Sequence, residues 1–131
     1  MLDCLILGDS IAKGISDVRQ ECVAYVKSGI NSHDWNKKYI KNIEPSQTTI
    51  ISLGSNDISN LDSEIELFAL RLQIKTGRVF WIIPAIKPHK QELIRDLARS
   101  FGDTIVNIPE LSKDKVHPTY SGYKQLGELT K

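Results

Sequence analysis

The feature that most constrains this chain is an alternation. Short runs of β-branched and other apolar residues, closed by glycine or proline, are separated by segments whose apolar residues recur at helical spacing. Leu2 to Leu7 reads as a short buried strand, and Gly8-Asp9-Ser10 as a turn opening into the segment Ile11 to Arg19. Cys22 to Val26 forms the next apolar run and stops at Ser28-Gly29. Trp35, Tyr39, Ile40 and Ile43 then recur at roughly helical spacing before Pro45 ends the pattern. Thr48 to Leu53 is β-branched and closes at Gly54-Ser55-Asn56-Asp57, after which Ile65, Phe68 and Leu72 mark an amphipathic helix ended by Gly77. Val79 to Ile83 is a fourth strand, stopped by Pro84. Pro88 suits the first turn of a helix whose face carries Leu93, Ile94, Leu97, Ala98 and Phe101 up to Gly102. Thr104 to Ile108 makes a fifth strand, and Thr119 is placed to cap a last helix bearing Tyr123, Leu126 and Leu129.

Strands alternating with helices imply right-handed crossovers and a parallel sheet covered on both faces, which is why the strands read as continuous apolar runs. The expected fold is α/β, a three-layer α/β/α sandwich around a five-stranded parallel sheet. No repeat, low-complexity tract or long linker divides the 131 residues, so one domain over 1–131 is expected.

Charge bounds the partners. Lys and Arg number 17 against 16 Asp and Glu, and no basic stripe interleaved with aromatics is present, which argues against nucleic acid. Leu5-Ile6-Leu7 is too short for a signal-peptide core and no run approaches a membrane span, so the chain reads as cytoplasmic at synthesis. Cys4 and Cys22, each in an apolar segment, are expected to be buried free thiols rather than a disulfide, and they lack metal-type spacing.

In an open parallel sheet the ligand crevice lies beyond the carboxyl ends of the strands. The polar outliers gather there: Ser10 after the first strand, Gly29 after the second, Asn56 after the third, Asp114 and His117 beyond the fifth. A serine hydroxyl needs a base, and the base needs a group that fixes its tautomer and stabilises its cation. In Asp114-Lys115-Val116-His117-Pro118 one turn suffices to bring the carboxylate to imidazole Nδ1, leaving Nε2 for Ser10. Acyl transfer also develops an oxyanion. Three donors are available for it: the Ser10 N–H at a helix N-terminus, the Gly29 N–H, and the Asn56 side-chain amide.

Taken together, these blocks resemble the SGNH hydrolases, a family named for a serine, a glycine, an asparagine and a histidine in that chain order. Gly8-Asp9-Ser10 matches the first block, with Ile11 where leucine is common. Gly29 matches the second, Gly54-Ser55-Asn56-Asp57 the third, and Asp114 to His117 the last. The resemblance spans nearly the whole chain. It implies strand order 2-1-3-4-5 and esterase, lipase, thioesterase or carbohydrate deacetylase chemistry without metal or organic cofactor. The expected activity is a serine ester hydrolase working through an acyl-serine intermediate. Family domains are usually longer. The brief connections after Asn56 and after the fourth strand leave little chain for a lid, so a small acyl group, such as acetyl on a carbohydrate or lipid carrier, fits best. The rivals are an acyltransferase using the same acyl-enzyme and a non-catalytic carbohydrate-binding module. A receiver-like protein shares the layer order but needs an acidic cluster at the first strand that is missing here.

Other polar and aromatic residues read as structural. Asp9 is expected to cap its helix or tie down its loop, and Asp57 to brace its turn. His33 and Asp34 read as a solvated helix start rather than a pocket lining, and Trp35 and Tyr39 as core rather than a sugar-stacking surface. His89 carries no assignment, and Trp81 belongs to the interior of a strand.

Overall fold

The computed structural model describes residues 1–75 and 77–131. Five parallel strands, β1 (Leu2–Gly8), β2 (Val23–Val26), β3 (Ser46–Ser52), β4 (Arg78–Ile83) and β5 (Thr104–Asn107), form one sheet in the order β2-β1-β3-β4-β5. Between and after them run α1 (Ser10–Val18), α2 (Ser32–Tyr39), α3 (Ser63–Leu72), α4 (Pro88–Phe101) and α5 (Tyr120–Leu129), with a 3₁₀ turn at Ile40–Asn42. The expected strand order and three layers are both present.

The period-two geometry of a strand explains the continuous apolar runs. Leu5 and Leu7 of β1 point into one core with Ile51, Val79, Trp81 and Ile83, roofed by Trp35 of α2, Leu67 and Leu70 of α3, and Ile94 and Leu97 of α4. The intervening Ile6 points the other way, into a second core with Ile50, Phe80, Ile82 and Val106, covered by Ile11 and Ile15 of α1 and Leu126 of α5. Each central strand is apolar on both faces because each face is buried.

Three sequence expectations are corrected. Cys4 and Cys22 are joined in a disulfide, with Cα atoms 4.7 Å apart. Cys22 lies just outside the edge strand β2 rather than within it, which leaves its sulfur able to reach Cys4 on β1. The stripe Ile65, Phe68 and Leu72 on α3 faces away from the sheet and is exposed, while Leu67 and Leu70 are fully buried; the two stripes lie on different sides of one helix, and contact with the sheet selects the second. The helix over Trp35 to Ile43 ends at Tyr39, and the chain finishes the segment as the 3₁₀ turn. Trp35 and Trp81 are core residues as expected, with ring N–H groups donating to the Tyr25 carbonyl and the Asp103 carboxylate at 2.9 Å each. Among the described residues no helix is long and apolar enough to cross a membrane.

The first turns of the helices and the loops after the strands all collect at the carboxyl edge of the sheet. Gly8 shows why the first of these turns is tight. It holds φ +147°, and any side chain there would strike the Ser52 carbonyl of β3. Only glycine lets the strand turn into α1 this close to its neighbour.

Candidate active site

Ser10 is the first residue of α1, behind its cap Asp9, whose carboxylate accepts from the Ile11 N–H at 3.0 Å. The Ser10 N–H therefore lies in the first helical turn, where backbone donors have no intrahelical acceptor. Asp9 is buried and ties the turn to β3 by accepting from the Ser52 hydroxyl at 3.3 Å, while among the described residues its Oδ2 has no hydrogen-bond partner. Burial pushes its pKa up to about 6, outweighing the Ile11 and Ala12 amides that favour the anion.

His117 and Asp114 come from a small closed loop after β5. Leu111 and Pro118 bridge antiparallel, and the Ser112 N–H donates to the His117 carbonyl at 2.8 Å, so the intervening residues form a hairpin-like projection. Within it Asp114 organises its own surroundings. Its Oδ1 accepts from the N–H groups of Val116 and His117, both at 2.9 Å, and from the Ser112 hydroxyl at 2.8 Å. Those amides, His117 first, together with the imidazole and Ser112, hold the carboxyl far below the usual carboxylate range. An ionised Asp114 is an acceptor only. Imidazole Nδ1–H therefore donates to Asp114 Oδ2 at 2.7 Å, which leaves Nε2 to accept from the Ser10 hydroxyl at 2.8 Å.

The hydroxyl, imidazole and carboxylate thus form a continuous relay. It is open to water: the His117 side chain is 41% exposed and that of Asp114 51%.

Gly29 and Asn56 sit on separate turns at the same sheet edge. The Ile30 N–H donates to the Lys27 carbonyl at 3.3 Å, and Gly29 between them holds φ +80°, the value a type II turn demands of its third residue. The glycine is thus required by the turn; a Cβ there would meet open space. Asn56 Nδ2 donates to the Ile30 carbonyl at 3.1 Å, linking the two turns and leaving its second amide hydrogen uncommitted by that bond. The structure brings Ser10, His117 and Asp114 into direct contact and joins the Asn56 turn to the Gly29 turn.

Other residues fall where the sequence reading left them. His33 is exposed and pairs with Glu66 at 2.7 Å; His89 is exposed on α4. Among the described residues one set of metal-type ligands clusters, Cys4, Glu21 and Cys22, but both sulfurs are consumed in the disulfide and the Arg19 guanidinium packs against Cys4. Two residues escaped sequence reasoning. Ser112 steadies Asp114, and a Ser-x-Asp turn signal two residues upstream was its only trace. Lys115 takes φ +62° between Asp114 and His117, and nothing in a lysine announces that conformation.

Fold and site together define an architecture: a three-layer α/β/α fold with a parallel sheet in the order β2-β1-β3-β4-β5 and the Ser10, His117 and Asp114 contacts at its carboxyl edge. No protein-family model matches the sequence, and no curated protein matches it either. Solved structures do. A candidate acylhydrolase from Bacteroides fragilis shares the fold at a TM-score of 0.73, with 16% identity over 98% of this chain and 84% of the other. The C-terminal catalytic domain of Streptococcus pneumoniae peptidoglycan O-acetyltransferase A, solved with a methylsulfonyl adduct, gives 0.63 at 12% identity, over 96% and 88% of the two chains. A family two carbohydrate esterase from Clostridium thermocellum, solved with cellohexaose, gives 0.58 at 15% identity, over 98% of this chain and 62% of that one. At such identities the likeness is one of fold.

Proposed function

We propose that this chain is a serine ester hydrolase acting through an acyl-Ser10 intermediate. The observation that carries the reading is the relay itself, Ser10 Oγ to His117 Nε2 at 2.8 Å and His117 Nδ1 to Asp114 Oδ2 at 2.7 Å. In this reading Ser10 Oγ attacks the ester carbonyl as its proton passes to Nε2, and Asp114 stabilises the resulting imidazolium. The Ser10 and Gly29 N–H groups and the free Asn56 amide hydrogen receive the oxyanion, each donor contributing about 10²–10³ in rate. Collapse breaks the bond to the alcohol, which leaves with the proton from His117. Water then attacks the acyl-enzyme, giving its proton to His117, and release of the acid restores Ser10. No step calls on a metal or organic cofactor.

The solvent-open relay supports a small acyl group, acetyl before longer chains, on a carbohydrate or lipid carrier that need not be engulfed. The names of the structural neighbours, carbohydrate and acetyl xylan esterases among them, run in the same direction. Turnover of p-nitrophenyl acetate should exceed that of the dodecanoyl ester in kcat/KM; the reverse preference overturns the small-acyl assignment. Ser10→Ala should remove hydrolysis of both.

An acyltransferase is the second reading, favoured by the O-acetyltransferase neighbour. The exposure of His117 weighs against it, because an acyl-enzyme this open is within reach of bulk water. Product analysis with added alcohol acceptors separates the two: free acid as the main product supports hydrolysis, and a new ester supports transfer.

A further inference from the structure

The proposed oxyanion donors on Gly29 and Asn56 come from two turns outside the helix that carries Ser10. Such donors act only when held to within a fraction of an ångström of the developing charge. The contacts that fix the two turns centre on a residue with no part in the relay. Asp57, next to Asn56, is completely buried. Its Oδ1 accepts from the Ser32 N–H at 2.8 Å, and its Oδ2 accepts from the Ser32 hydroxyl at 2.7 Å and the Ser63 hydroxyl at 2.6 Å. Ser32 opens α2 and Ser63 opens α3, so one carboxylate bolts two helix starts to the residue after Asn56, in the favourable field of both N-termini.

The main chain from Asp57 to Leu61 is held from the other side by the start of α4 and the residue before it. Lys87 Nζ donates to the Asp57 carbonyl at 2.8 Å, and buried Lys90 donates to the Leu61 carbonyl at 2.9 Å. Lys87 keeps φ +64°, a conformation that side chains rarely adopt and that persists only where the surroundings enforce it. With Asn56 Nδ2 bonded to Ile30 O beside Gly29, the turns are cross-linked at two points, Asn56 to Ile30 and Asp57 to Ser32.

We propose that Asp57, backed by Lys87, is a positioning residue for the oxyanion site: it holds the turn that carries Asn56, so that the Asn56 amide is kept at the developing charge, and it acts through Asn56. A merely structural role would lower stability and leave the turnover of folded molecules alone. This inference rests on the ester-hydrolase reading of Ser10.

The test is a double-mutant cycle on p-nitrophenyl acetate hydrolysis, with Asp57→Asn, Asn56→Ala and the pair, assayed well below their melting temperatures. Asp57→Asn should lower kcat by about 10–100-fold with KM nearly unchanged, since a misplaced donor fails mainly in the transition state. In the Asn56→Ala background the same change should cost no more than about threefold, because the donor it serves is gone. Equal losses in both backgrounds, or a folded Asp57→Asn with wild-type kcat, overturn the proposal. Should Asp57→Asn fail to fold, Lys87→Met takes its place, with a loss of about 3–10-fold that likewise vanishes beside Asn56→Ala. A wild-type chain without Ser10-dependent turnover overturns the ester-hydrolase reading itself, whereas Ser10-dependent turnover with an additive cycle overturns the positioning role alone.

Discussion

His117 Nε2 lies 2.8 Å from Ser10 Oγ across 107 residues of sequence. The fold closes that distance with two rigid pieces: a helix that starts directly after β1, and a hairpin-like loop pinned by the bridge between Leu111 and Pro118. Asp114, inside the same loop, fixes the direction in which the imidazole presents its lone pair.

That dependence on tautomer leads to the first expectation. In Asp114→Asn the side-chain oxygen still accepts from the Val116 and His117 amides, but the amide nitrogen faces imidazole Nδ1 and forces the proton onto Nε2. The base can then no longer accept from Ser10. Steady-state kinetics should show kcat down by about 10²–10⁴. Because the side-chain oxygen keeps the Val116 and His117 amides, the variant should remain folded at the assay temperature, which a melting curve checks. A variant with near wild-type kcat contradicts the assigned role.

Asp9 has a different signature, in stability. Its folded-state pKa is raised to about 6 from 3.8, chiefly by burial, so the native state keeps its proton where the unfolded chain has lost it. The contribution of this group to stability is therefore complete below about pH 4 and is lost as pH rises through about 6, a change of roughly 3 kcal/mol. Asp9→Asn cannot titrate. Urea unfolding across this range should show wild type losing stability relative to the variant as pH rises; a pH-independent difference refutes the assignment.

The disulfide is the third test. Cys4 and Cys22 close a loop with a sequence separation of 18, and cross-linking such a loop is worth about 3 kcal/mol through the unfolded state. Reduction, or Cys22→Ser, should lower unfolding free energy by that order. The bond lies near the amino-terminal end of the sheet, where Leu5 pairs with Val23, so kcat of the folded protein should be retained. An unchanged unfolding midpoint would contradict it.

How much of this was legible in the sequence depends on the kind of constraint. Strands and helices were readable because burial on both faces of a parallel sheet leaves unbroken runs such as Leu5-Ile6-Leu7, and because Thr119 and Gly102 carry cap chemistry that local geometry demands. The relay was readable because Asp114 and His117 lie within one turn of each other and Ser10 follows a strand end. The disulfide was not, since Cys4 and Cys22 become neighbours only once β2 pairs with β1. The choice of buried face on α3 was also hidden: Ile65, Phe68 and Leu72 form as good a stripe as Leu67 and Leu70, and only packing decides between them. Lys87 and Lys115 show the remaining limit, positive φ imposed on ordinary residues by contacts distant in sequence.

The most direct measurement of the central claim is covalent labelling of the native chain with a fluorophosphonate, followed by peptide mass spectrometry. Ser10 as an activated nucleophile predicts one adduct per chain, carried after reduction of the disulfide on the tryptic peptide ending at Lys13, with esterase activity lost in proportion to labelling and no adduct on Ser10→Ala. Labelling that persists in Ser10→Ala, or activity that survives complete modification of Ser10, would contradict it.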